Sequence, residues 1–280
     1  MQMLALRPQR QLLQAVLLAA SPRIPVTAIR QPLSTAHRLY LRHHQTHPNS
    51  AQPFQPHHCW RCGANITSPS EIFCGRTAED IEASRDKGDE GCGAIQPVPP
   101  GARYGNVLLP RSVVETKNEK LPFDIDVGAL RRRFLRLQQA VHPDGFEQKS
   151  ETEKELSDQQ SSFINKAFQT LRDPLARAKY LLNQVDMKVE ESSSLDDPEL
   201  LMEVLEVREQ LEEAQSDEEV AQIGKENEGR MEETISKLSE AFADGDMDRA
   251  RTLTIHLQYW ANIKRAIQEW EPGKRVELKH

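Results

Sequence analysis

The chain has 280 residues, of which 38% are hydrophobic, 28% charged and only 5% aromatic, and it carries a net charge of −7 with a mean hydropathy of −0.65. That length allows two small domains with appendages, and the composition excludes one large core in favour of strongly solvated helical modules. No apolar run approaches the ~20 residues of a membrane span, the longest, LLQAVLLAA, being about half that, so no membrane partner is expected.

Charge is unevenly placed. Arg7, Arg10, Arg23, Arg30, Arg38, Arg42 and Arg61 all precede Glu71, the first acidic residue, so the first seventy residues carry +7 and the remainder −14. An arginine-rich, acid-free start with an amphipathic series of Leu6, Leu12, Leu13, Val16 and Leu17 matches a mitochondrial transit peptide over residues 1–50. A disordered tail or a nucleic-acid-binding arm is the plainer alternative. A secretory signal fits less well, because LLQAVLLAA runs on into Arg and Pro.

All four cysteines fall within residues 56–98, in CWRCG (Cys59 and Cys62), IFCG (Cys74) and EGCG (Cys92). Four thiolates complete a tetrahedral zinc site, and a structural metal is what a short segment with almost no core needs in order to fold. Cys62, Cys74 and Cys92 each precede a glycine, which suits a tight metal-binding knuckle. Seventeen residues separate Cys74 from Cys92, where a second C-x2-C pair would have two. Disulfides are the alternative, disfavoured in a reducing matrix, and His57 and His58 stand beside the first pair as substitute ligands. Nothing leaves an open coordination position for catalysis.

Pro97, Pro99, Pro100 and Gly101 punctuate a linker that continues to Lys120 with at most one short helix. Asp126 then reads as an N-cap. Val127, Leu130, Phe134, Leu137 and Val141 step 3, 4, 3, 4 along one helical face. Arg132, Arg133 and Arg136 fall on other faces and are expected to form a positive exposed surface. His142-Pro143-Asp144 stops this helix, because proline disfavours the helical conformation for the residue before it, and leaves a fixed, exposed turn. A second helix, from about 151 to 171 with Leu156, Phe163, Ala167 and Leu171, returns antiparallel. Asp173 and Pro174 start a third, bearing Leu175, Leu181, Leu182 and Val185.

The run LQQAVHPDGF, followed by INKAFQTLRDPLARAKYLL, resembles a J-domain, specifically that of the HscB/Jac-type co-chaperones of iron–sulfur cluster biogenesis, over roughly residues 100 to 272. CWRCG and CGAIQP resemble the N-terminal cysteine module of some mitochondrial members. The resemblance implies a J-domain at 101–188. It also implies that His142, Pro143 and Asp144, with Arg132, Arg133 and Arg136, dock on a mitochondrial DnaK-type heat-shock chaperone and promote its ATP hydrolysis. The first J-domain helix has only RYGNVLLP to represent it, where Gly105 and Asn106 are poor helix formers.

Residues 195–272 read as a separate bundle. Asp197 is an N-cap with Pro198 at the first helical position, and Leu200, Val204, Val207 and Leu211 form one core stripe. Leu201 and Leu205 lie off it, with Met202 and Glu209 beyond them. Helices at about 217 to 243 and 246 to 271 complete an antiparallel three-helix bundle, with Tyr259 off the stripe of Leu253, Leu257 and Trp260. An apolar strip that the core does not need marks a partner site; packing against the J-domain or a dimer mate is the alternative. The resemblance implies that Leu201, Met202, Leu205, Glu206, Glu209 and Tyr259 bind the IscU/Isu-type cluster scaffold.

The expectation is an all-α protein: a J-domain helical hairpin plus a C-terminal antiparallel three-helix bundle, with a small zinc-ribbon-like cysteine module. It would act as a co-chaperone in the mitochondrial matrix. No activated nucleophile or paired acid and base is visible, so no enzyme is expected. A zinc-ribbon nucleic-acid binder would use the cysteine module and the arginine-rich tail, but the acidic remainder opposes phosphate binding. A general mitochondrial J-protein for import or folding is the nearest rival.

Overall fold

The structure, a computed structural model, describes residues 54–83, 91–115, 121–189 and 197–272; the expected transit peptide at 1–50 lies outside them. In the cysteine-bearing segment, β1 (His57–His58) pairs antiparallel with β2 (Asn65–Ile66), and β3 (Glu71–Phe73) with β4 (Arg76–Thr77). Helix α1 (Ala78–Glu82) follows directly. Its start is fixed by a reciprocal cap: the Thr77 hydroxyl accepts from the Asp80 N–H, and the Asp80 carboxylate accepts from the Thr77 N–H. Gly91 brings the chain back against β3, where a Cβ would lie 2.2 Å from the Cys74 carbonyl oxygen, so only glycine fits.

The next elements build one core. They are α2 (Tyr104–Leu108), α3 (Arg111–Glu115), α4 (Val127–Val141), a 3-10 turn (Pro143–Phe146), α5 (Glu151–Arg172) and α6 (Pro174–Asn183). Although its sequence is weak, α2 forms because packing overrides propensity. Tyr104 stacks on Tyr180 at 4.7 Å between ring centres, and its N–H donates to the Tyr180 hydroxyl. Gly105 leaves room for the Leu121 side chain, which would otherwise meet a Cβ. The α4–α5 hairpin closes over Leu130, Leu137, Val141, Ile164, Ala167 and Leu171, all fully buried. Val127 and Val185, expected inside, are exposed: Val127 opens the first turn of α4, and Val185 lies past the end of α6.

The C-terminal bundle comprises α7 (Pro198–Glu213), α8 (Asp217–Asp244) and α9 (Met247–Gln268). Gly245 ends α8 in the left-handed region at φ 75°, and Asp246 caps α9. The α8–α9 pair contributes to two cores. Leu238, Ala241, Ala250 and Leu257 join the core of α2, α4, α5 and α6, while Val220, Ile223, Trp260 and Ile263 join the stripe of α7.

Arg133 corrects the sequence reading. It was expected on an exposed face and is instead 2% exposed. Helix α1 packs across α4 and brings two carboxylates onto it. Nη2 and Nη1 donate to Glu79 and Glu82, both at 2.7 Å, and Nε donates to the Val107 carbonyl of α2 at 2.8 Å. One guanidinium thus joins the cysteine segment, α2 and α4, a task suited to its rigid fork of donors. Arg133→Ala should destabilise the protein by about 3 kcal/mol, the low end for losing one partner of a buried pair because both glutamates keep some water. Arg132→Ala, at the surface, should change stability by less than about 0.5 kcal/mol, with urea unfolding as the measurement for both.

Candidate functional site

Three sites emerge. At the first, α4 ends at Val141 because Pro143 follows, and His142 takes extended backbone (φ −60°, ψ 131°) as both C-cap of α4 and N-cap of the 3-10 turn. The turn is held through its backbone. Ser157 Oγ of α5 donates to the Val141 carbonyl at 2.7 Å, the Gly145 N–H donates to the His142 carbonyl at 2.9 Å, and Phe146 is buried beneath. The side chains remain available: His142 is 52% exposed and Asp144 81%, with Nδ1 3.4 Å from an Asp144 carboxylate oxygen.

Arg132 and Arg136 are exposed on α4, Arg136 also donating to the Glu82 carbonyl. Arg133 is absent from this face. Leu135, which sequence reasoning missed, is exposed there, next to Arg131, Arg132 and Gln139 by helical spacing. A leucine far off the buried stripe was the signal that would have found it.

The second site lies on α7. Leu200, Val204, Val207 and Leu211 are buried as expected, while Leu201 is 40% exposed, Met202 68% and Leu205 51%. These are three of the six exposed large hydrophobics among the described residues, so exposure is concentrated here. Glu206 and Glu209 are exposed beside them, and Tyr259 is half-buried against the bundle core.

Two ties fix α7 against α9. His256 Nε2 lies 3.3 Å from a carboxylate oxygen of Asp197, the N-cap of α7, and the Trp270 indole N–H donates to the Leu211 carbonyl at 3.1 Å. Both ties join residues 59 apart, so the helices run parallel with Tyr259 level with Leu200 and Leu201. Burial lowers the pKa of His256, against the pull of Asp197.

At the third site, hairpin turns gather Cys59, Cys62, Cys74 and Cys92, whose sulfurs all lie within 4.8 Å of one another. The Cys59–Cys92 and Cys62–Cys74 separations are 3.8 and 3.7 Å. Four thiolates about 2.3 Å from a central zinc would stand about 3.8 Å apart, so the donor set fits a tetrahedral ion. The Ala64 N–H, then Cys92, draw the Cys62 thiol down to about 7, whereas burial pushes Cys74 up to about 12 and raises Cys92. A divalent cation at the centre would hold the coordinating sulfurs as thiolates. The long Cys74–Cys92 spacing does not prevent the gathering, because β4 and α1 occupy its first part and Gly91 returns the chain to Cys74. His57 and His58 lie on β1, outside the group of four.

Residues 196–268 match the family described as the HSCB C-terminal oligomerisation domain. The chain is 32% identical over 213 residues to the iron–sulfur cluster co-chaperone protein HscB of Mus musculus, covering 75% of this chain and 81% of that one. It is 35% identical over 173 residues to the mitochondrial J-type co-chaperone JAC1 of Saccharomyces cerevisiae, covering 59% and 90%. The crystal structure of human co-chaperone protein HscB aligns with a TM-score of 0.63 at 28% identity, over 76% of this chain and 98% of that one. With more than four-fifths of two co-chaperones matched at 32% and 35% identity, the chain belongs to the HscB/Jac1 co-chaperone family.

Proposed function

We propose that this co-chaperone works in the mitochondrial matrix, binds an IscU/Isu-type iron–sulfur scaffold on the α7 strip, and delivers it to a DnaK-type chaperone whose ATPase it stimulates. The observation that carries this reading is the His142-Pro143-Asp144 turn, fixed through its backbone while the His and Asp side chains stay exposed. The chemistry belongs to the partner. A preordered turn loses little entropy on docking, and Arg132 and Arg136 supply attraction that speeds encounter. Arg133 acts from inside, holding α4 in place. Residues 101–188 form the J-domain in this reading, 195–272 the scaffold-binding bundle, and 56–98 a module in which Cys59, Cys62, Cys74 and Cys92 hold a structural zinc. The ion would cross-link two hairpins that have little core of their own. The similarity to an iron–sulfur cluster co-chaperone and to a mitochondrial J-type one supports this over a general folding or import role.

His142→Gln should reduce stimulation of the chaperone's ATPase at least tenfold, with helix content and scaffold affinity unchanged, as read by steady-state phosphate release beside circular dichroism. Equal stimulation by both proteins rules out the docking role of the turn.

For the strip, Leu201, Leu205 and Tyr259 truncated together to Ala should weaken scaffold binding by about 3 kcal/mol or more, on the order of a hundredfold. Their removal should cost little stability, whereas Trp260→Ala, in the core, should cost about 3 to 5 kcal/mol. Melting beside a binding titration decides. A destabilised triple variant with native affinity would make the strip internal packing, and a scaffold that binds neither protein would favour a general J-protein.

Reduced protein should hold about one zinc per chain. Cys59→Ser with Cys62→Ser should remove it while the C-terminal bundle stays folded, as metal analysis and a retained far-ultraviolet helix signal would show.

A further inference from the structure

Gln96 is wholly buried beside the cysteine cluster, at 0% exposure. Its Nε2 donates to the Cys59 sulfur at 3.3 Å and to the Ala94 carbonyl at 2.7 Å. Since the Ala94 carbonyl can only accept, the amide nitrogen must be the atom that faces it. The backbone of Gln96 is equally committed: its N–H donates to the Ile72 carbonyl, and its own carbonyl accepts from Gln160 Nε2, both at 2.8 Å.

Gln160 is a buried residue of α5, and its buried neighbours on that helix hold α4. Ser157 Oγ donates to the carbonyl of Val141, the residue before His142, and Ser161 Oγ accepts from Gln138 Nε2 at 2.8 Å. A path of buried polar groups therefore leads from Cys59 through Gln96 and α5 to the foot of the His142 turn. Apolar residues at 96 and 160 would fill the same space without any need for partners. Packing alone does not call for two buried amides here.

We propose that Gln96 is an outer-sphere donor to the metal-bound Cys59 thiolate, and that through Gln160 it ties occupation of the four-cysteine centre to the position of the His142 turn. A thiolate on a dication is an anionic acceptor and makes the Gln96 hydrogen bond charge-assisted. With a proton on that sulfur the acceptor is weak, and Ala94 becomes the main partner of the amide. The inference rests on the reading of the cysteines as a metal centre. It makes the module a positioning element for the chaperone-facing turn as well as a stabilising one.

Two measurements on the full chain test it. In a chelator competition with cobalt(II), Gln96→Leu and the longer, unbranched Gln96→Met, neither of which carries the donor, should each weaken metal binding by about ten- to a hundredfold, as losses of such donors typically do. Both should also shift the sulfur-to-cobalt charge-transfer absorption, which a purely structural role would leave in place. In amide hydrogen exchange across residues 138–146, zinc should slow exchange in the wild type. In Gln160→Leu the exchange should no longer respond to zinc, although metal affinity is retained. Native cobalt affinity and spectrum in both Gln96 variants, or an undiminished zinc response in Gln160→Leu, overturns the coupling while leaving the metal centre intact. A wild-type chain that takes up neither metal overturns the metal centre and the coupling together.

Discussion

The α8–α9 hairpin belongs to two hydrophobic cores at once, and the arrangement of the molecule follows from that. Near its connecting turn, Leu238, Ala241 and Ala250 pack with the core of α2, α4, α5 and α6, as does Leu257 further along α9; toward its other end, Val220, Ile223, Trp260 and Ile263 pack with α7. Relative motion of the two halves would have to bend a continuous helix or open one of the cores, and either costs far more than thermal energy supplies. The exposed turn at His142 and the apolar strip on α7 are therefore carried on one frame. Asn227, buried in the bundle with its Nδ2 donating to the Trp260 carbonyl, adds a directional contact that favours one register of the pair.

A second set of constraints works through buried polar groups, beside the apolar contact that Ile72, Ala78, Ile81 and Ile95 of the cysteine segment make with the core of α4 and α5. The cysteine segment has a small core of its own, centred on Cys59, Ile66, Cys74 and Ala94. It leans on α4 through Arg133 and on α5 through Gln96 and Gln160, with Arg61 reaching Glu153 of α5 at 3.6 Å. Buried hydrogen bonds demand a specific geometry because each unsatisfied partner costs on the order of 1 to 3 kcal/mol. Such contacts orient a small module more sharply than leucines would. Leu201, Met202 and Leu205 are the opposite case, apolar area that stays exposed among the described residues.

Much of this was legible from periodicity. The helices of the α4–α5 hairpin and of the bundle lie within a few residues of where their apolar spacing and caps put them, and the split of α7 into a buried stripe and an exposed strip follows from residue spacing alone. The failures have physical reasons. Arg133 read as exposed because a helical wheel assigns charge to solvent, and nothing local reveals that Glu79 and Glu82, more than fifty positions earlier, return to meet it. Helix α2 read as weak because Gly105 lowers propensity, while the partner that stabilises Tyr104, Tyr180, stands 76 positions away. The seventeen residues between Cys74 and Cys92 read as an interruption of a metal site. They include α1, the helix that docks the site on α4.

If one frame carries both surfaces, chaperone and scaffold should bind the co-chaperone at the same time. Sedimentation velocity of the three proteins together, with ATP hydrolysis blocked, tests this directly. A single species containing one copy of each is expected, its abundance set by the two separate affinities. Two binary complexes that exclude one another would contradict it, and would mean that the turn and the strip compete for one partner rather than bridging two.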